Sequence, residues 1–183
     1  MKKILPALFI MLIFTVSLVV QMTIHGPKTR AEKSTPTTSK YSVFENQFSK
    51  LKLTTSKGLK INLVDRKEPI IIINFWASWC RPCLSEFKSL NKLISELGRD
   101  VFVIGINNDT ENAKKAITKT EKRYKLKFQS VRDEEGDMAS LFNITSIPAS
   151  VIYFKGKVIR YENGEFDFSD EDFISELKSY LKK

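Results

Sequence analysis

The chain has 183 residues, 42% of them hydrophobic, and a formal charge of +9 at neutral pH, enough apolar material for one core domain plus an appendage. The basic residues are scattered, with only short clusters such as Lys114-Lys115 and Lys182-Lys183, so the excess reads as a solvated surface and no nucleic-acid partner is expected. Two cysteines, Cys80 and Cys83, and one histidine, His25, exclude a closed four-ligand zinc site supplied by this chain alone and papain-like Cys/His catalysis, leaving a dithiol/disulfide pair with no metal and no cofactor.

Met1-Lys2-Lys3 precedes a mainly apolar run from Ile4 to Ile24, long enough to span a bilayer. Residues 1–24 read as a signal anchor or a cleaved signal peptide. No small-x-small site closes the run, and Thr29-Arg30-Ala31 is a distant cleavage candidate. Lys28, Arg30 and Lys33 outweigh Lys2 and Lys3, against the positive-inside tendency, although long domains translocate largely regardless of nearby charge. Residues 25–42, rich in Lys, Thr, Ser and Pro, read as a flexible linker, with the folded domain over 43–183.

Phe48, Leu51 and Leu53, a turn at Lys57-Gly58, then Leu59, Ile61 and Leu63 predict an N-terminal β-hairpin. Ile70-Ile71-Ile72-Ile73-Asn74-Phe75-Trp76 predicts a buried central strand. Helical spacing follows at Phe87, Leu90, Leu93, Ile94 and Leu97, with Gly98 as its stop. Val101 to Ile106 is a second strand, and Ala113, Ala116 and Ile117 start a second helix running towards Tyr124. Phe128 to Val131 reads as a short strand or extended loop, and Met138, Leu141 and Phe142 as a short helix. Ala149 to Phe154 and Val158 to Tyr161 form a hairpin, and a final amphipathic helix starts near Ser169 or Asp170 with Phe173, Ile174, Leu177 and Leu181 inward. Strands alternating with helices and closing on a hairpin and helix indicate an α/β sandwich.

Strand, turn and helix meet at Cys80. A helix start presents unpaired N–H groups, which stabilise a thiolate, the reactive form of cysteine. Cys83 stands one turn behind, Pro82 suits the first helical turn, and Arg81 adds positive charge, so Arg81 and Pro82 are expected to tune the redox chemistry. Trp79 is expected on the substrate-facing rim and Trp76 in the packing. A CxxC pair alone also fits a structural disulfide, although so short a loop stabilises little.

The run Asn74-Phe75-Trp76-Ala77-Ser78-Trp79-Cys80-Arg81-Pro82-Cys83, followed by Glu86-Phe87 and far downstream by Ile147-Pro148, resembles the thioredoxin superfamily, specifically its TlpA/ResA-like branch of extracytoplasmic thiol-disulfide oxidoreductases. The resemblance covers roughly Phe48 to Leu181. It implies a thioredoxin-like fold, a central mixed β-sheet flanked by helices, with an extra N-terminal hairpin. It also implies that Cys80 attacks a partner's disulfide, that Cys83 resolves the mixed disulfide, and that Glu86 transfers protons or tunes the thiols. Asn74 occupies the strand position of the buried Asp of classical thioredoxins and cannot exchange protons itself. Pro148 resembles the superfamily's cis-proline, with the backbone at Ile147 pairing with bound substrate.

The expected function is therefore a membrane-tethered reductase of protein disulfides outside the cytoplasm, supplied by a membrane-embedded thiol electron donor, with apocytochrome c as a client that the resemblance suggests. If the N-terminal segment is cleaved, the domain is secreted or periplasmic. A disulfide-forming oxidant and a non-catalytic peptide-binding module remain alternatives.

Overall fold

The computed structural model describes residues 13, 15, 17 and 40–182. Most of the expected membrane segment and of the expected linker lies outside the described residues, and no helix among the described residues is long and apolar enough to cross a membrane.

The first described element is a helix, α1 (Ser42–Phe48). Two short strands follow, β1 (Lys52–Thr54) and β2 (Lys60–Asn62), paired antiparallel with Leu53 opposite Ile61, and then a 3-10 turn at Leu63–Asp65. Phe48, expected on a strand, ends α1 instead. Phe44 and Phe48 lie four residues apart and so share one helical face: Phe44 stacks on Tyr161 at 5.0 Å and Phe48 packs tilted against Tyr153 at 4.8 Å between ring centroids.

The main sheet has five strands in the order β5-β4-β3-β6-β7: β3 (Ile70–Trp76), β4 (Val101–Asn107), β5 (Gln129–Arg132), β6 (Ala149–Phe154) and β7 (Lys157–Asn163). β3 runs parallel to β4 and antiparallel to β6. The parallel steps pass through α2 (Arg81–Leu97) and α3 (Ala113–Tyr124). α4 (Asp137–Leu141) leads towards β6, and α5 (Glu171–Leu181) closes the chain.

All seven residues of β3 are buried, because the sheet is covered on both faces. Side chains alternate along a strand, so Ile70, Ile72 and Trp76 join one core with Phe87, Leu90 and Leu93 of α2 and Phe173, Ile174 and Leu177 of α5. Ile71, Ile73 and Phe75 join a second core with Phe48, Leu53, Ile61, Leu63 and Phe142. Each fully buried large apolar side chain contributes about 2 kcal/mol, so β3 is the best-anchored element and fixes the turn that follows it.

The β1–β2 unit is tied to the sheet by a bridge between Thr55 and Val131 and by the Ser56 N–H donating to the Ser130 carbonyl at 2.9 Å. Inside the sheet, Trp76 Nε1 donates to Ser130 Oγ at 3.2 Å across Gly105. A Cβ at Gly105 would lie 2.6 Å from both atoms, so glycine is required there for close approach. Gly98 ends α2 at φ 55°, a left-handed backbone that favours glycine.

Candidate active site

The candidate site lies at the C-terminal end of β3. The Cys80 N–H donates to the Ala77 carbonyl at 3.1 Å, which tightens the turn before Cys80 becomes the N-cap of α2. Cys80 and Cys83 are joined as a disulfide with their Cα atoms 5.3 Å apart, and the Cys83 N–H donates to Cys80 Sγ at 3.3 Å. Cys80 is 5% exposed and Cys83 is sealed, whereas the neighbouring Trp79 is 68% exposed. Arg81 and Pro82 are both exposed in the first turn of α2.

Ala149 pairs with Phe75, so Pro148 stands opposite the end of β3, where the chain turns towards Cys80. The Ile147–Pro148 bond is cis. Ile147 packs against the apolar cluster that holds Ala77, Cys80 and Cys83. Cys80, Cys83, Trp79, Ile147 and Pro148 thus converge on one end of the sheet.

Glu86 follows Cys83 by one turn on the same helical face and is 3% exposed. Its Oε1 accepts the Phe166 N–H at 2.7 Å, and its Oε2 accepts Asn74 Nδ2 at 3.3 Å. Burial disfavours the charged carboxylate and pushes its pKa up to about 7. The Phe166 and Asn74 hydrogen bonds oppose that rise, while the charges of Glu165 and Glu162 add to it. Asn74 Nδ2 also donates to Ser150 Oγ at 3.0 Å, and Asn74 Oδ1 is buried with no hydrogen-bond partner among the described residues.

A residue that sequence reasoning missed holds the turn. The buried Asp109 carboxylate accepts the Ser78 N–H at 3.1 and 3.2 Å, the Ser78 hydroxyl at 3.0 Å and Asn107 Nδ2 at 2.8 Å. It clamps the segment just before Cys80 from the end of β4. The polar run Asn107-Asn108-Asp109 after an apolar strand was its available signal. The Phe166 contact to Glu86 had none, because it joins residues 80 apart. Among the described residues no group of His, Cys, Asp and Glu could hold a metal ion.

Residues 44–162 match the AhpC/TSA family. The thiol-disulfide oxidoreductase ResA of Bacillus thuringiensis subsp. konkukian is 32% identical over 133 residues, covering 72% of each chain. Among solved structures, StoA from Bacillus subtilis superposes with a TM-score of 0.56 at 23% identity, covering 72% of this chain and 95% of that one. A secreted Mycobacterium tuberculosis disulfide oxidoreductase gives 0.61 at 21% identity, covering 73% and 98%. These two structures share the thioredoxin-like α/β fold, and the sequence match to ResA adds the chemistry. With its Cys80–Cys83 pair at the head of α2, the chain belongs to the AhpC/TSA family of thioredoxin-like proteins, within which it is a thiol-disulfide oxidoreductase of the ResA type.

Proposed function

We propose that the protein reduces disulfides of other proteins outside the cytoplasm while tethered to the membrane by its N-terminal hydrophobic segment. The observation that carries this reading is the asymmetry of the pair. Cys80 keeps slight exposure beside the exposed Trp79, while Cys83 is sealed above Glu86, whose pKa of about 7 suits proton exchange at neutral pH.

In the reduced protein the Cys80 thiolate, favoured by the helix N-terminus and the Cys83 N–H, attacks one sulfur of a client disulfide, and the other client sulfur leaves as a thiolate. Glu86 takes the proton of Cys83. The resulting thiolate attacks Cys80 Sγ, closes the internal disulfide and releases the second client thiolate, so that two electrons pass to the client. Trp79, Ile147 and Pro148 form the client-facing edge, with the Ile147 backbone offered to an extended segment as an added strand. Arg81 and Pro82 tune the pair, the one by charge and the other by lacking an N–H. A membrane-embedded thiol donor re-reduces the pair, and no cofactor takes part.

The ResA relative supports the oxidoreductase reading, and the apolar run from Ile4 to Ile24 supports the tether. Apocytochrome c, whose haem attachment requires free thiols, is the proposed client.

The test is equilibration of the Cys80/Cys83 pair in glutathione buffers, read by thiol alkylation. A potential near or below that of thioredoxin, about −270 mV, is expected. A value near that of DsbA, about −120 mV, would make the protein an oxidant instead. A pair that does not cycle would leave a peptide-binding module.

A further inference from the structure

Beside the candidate site runs a groove of about 410 Å³, with Ser78 and Leu84 on the disulfide side and Lys115, Lys119 and Arg123 on the other. The three cations are four residues apart on α3 and therefore line one stripe of that helix. All three are exposed, and among the described residues none has an ion-pair partner. Arg123 lies over the Tyr124 ring, 5.8 Å from its centroid, which leaves the guanidinium edge free to accept anions.

The opposing charge is absent from the groove. α3 carries Lys114, Lys115, Lys119, Lys122 and Arg123 against one acid, Glu121. Glu121 is buried on another side of the helix, where it pairs with Lys57 at 2.9 Å and accepts the Ser130 N–H. Asp109 faces Ser78 and is fully engaged there, and Glu111 does not line the groove.

From this arrangement we infer that the groove docks an acidic segment of the client polypeptide, placed next to the disulfide presented to Cys80. The inference rests on the reductase reading and names its substrate class, a protein whose cysteines are flanked by Asp or Glu. Concave shape and position favour a polypeptide over a lipid surface. The cations line a cleft whose other wall includes Ser78 and Leu84, which flank Cys80 and Cys83 in sequence, so a chain bound there lies beside the turn that carries the disulfide. Complementary charge of this kind raises the association rate and fixes register.

The experiment compares reduction, by the full chain in its reduced form, of disulfide-closed peptides whose cysteines are flanked by Glu, Gln or Lys, with anisotropy of a cysteine-free acidic peptide as a separate binding readout. At low ionic strength the acidic peptide is reduced about tenfold faster than the Gln peptide, the size expected of three exposed charge pairs. The advantage disappears near 1 M salt, where the screening length falls to about 3 Å. The charge-reversed variant K115E/K119E/R123E then prefers the Lys-flanked peptide, a gain that a misfolded protein does not produce.

Equal rates for Glu and Gln peptides overturn the inference, as does an acidic preference that survives charge reversal. It is likewise overturned if the reversal leaves peptide preference unchanged but weakens binding to phosphatidylserine vesicles, since the face then serves a membrane. If no peptide is reduced while the acidic one binds in a reversal-sensitive way, the reductase reading fails and the groove stands. If it is neither reduced nor bound, both fail.

Discussion

Replacing Glu86 with Gln gives a pH signature that follows from its burial. The carboxyl moves from an ordinary value of 4.5 to about 7 in the folded protein. A pKa raised on folding means that the folded state holds the proton longer, so this group's contribution to stability is full below about pH 4.5 and is lost as pH rises through 7. At about 1.4 kcal/mol per pH unit, the loss is roughly 3 kcal/mol by pH 8. Glu86→Gln removes the ionisation while keeping the shape. Its carbonyl still accepts the Phe166 N–H, and its NH2 group takes the place of the oxygen that faces Asn74 Nδ2, so the Asn74 amide turns over and presents Oδ1 as acceptor to that NH2 and to the Ser150 hydroxyl. The assay is urea unfolding of oxidised wild type and variant from about pH 4.5 to about pH 8. The two converge most closely at the acid end, and the variant gains roughly 3 kcal/mol relative to wild type at the alkaline end. A stability difference that stays constant across the range refutes the reasoning, because Glu86 would then ionise in place without cost. The same variant should flatten the pH dependence of Cys83 reactivity near neutrality.

Cys83→Ser should leave Cys80 able to form a mixed disulfide but unable to release it, so client adducts accumulate on denaturing mass analysis, whereas Cys80→Ser yields none. Asp109→Ala removes the acceptor of the Ser78 N–H, the Ser78 hydroxyl and Asn107 Nδ2. It should cost about 2–4 kcal/mol in denaturant titration and broaden the environment of Trp79 in fluorescence, with Asp109→Asn milder. Gly105→Ala forces a methyl against Ser130 Oγ and Trp76 Nε1. It should destabilise by about 1–3 kcal/mol, measured as a fall in Tm.

The central strand and its helix were legible because four consecutive isoleucines, a Trp-Cys-x-Pro-Cys turn and apolar residues at helical spacing all agree. α1 was not. Ser42–Phe48 is too short to be stable alone, and its Phe44 and Phe48 are fixed by Tyr161 and Tyr153, more than a hundred residues away. The cysteines could be read from local spacing, whereas the setting of Glu86 could not. Its acidity depends on a backbone N–H from the segment before α5 and on the depth at which the helix packs. Asp109 illustrates the same limit. Its residue type suits a turn, and only the folded chain brings that turn against Ser78.

β3 also governs how the chain reaches this state. Both of its neighbours, β4 and β6, come later in the sequence, and β6 begins only at Ala149. Until that strand arrives, Ile70 to Phe75, an uncharged, strongly β-forming segment of the type that self-associates, keeps one edge unpaired even after β4 has joined the other. Pairing it requires closure of a loop of roughly seventy residues, a slow step for a small domain. The basic and acidic residues just upstream, Arg66, Lys67 and Glu68, stand where gatekeeping charges oppose strand-to-strand stacking of nascent chains. The same isoleucines that hold the folded domain together thus make the interval between synthesis of β3 and arrival of β6 the chain's most aggregation-exposed moment.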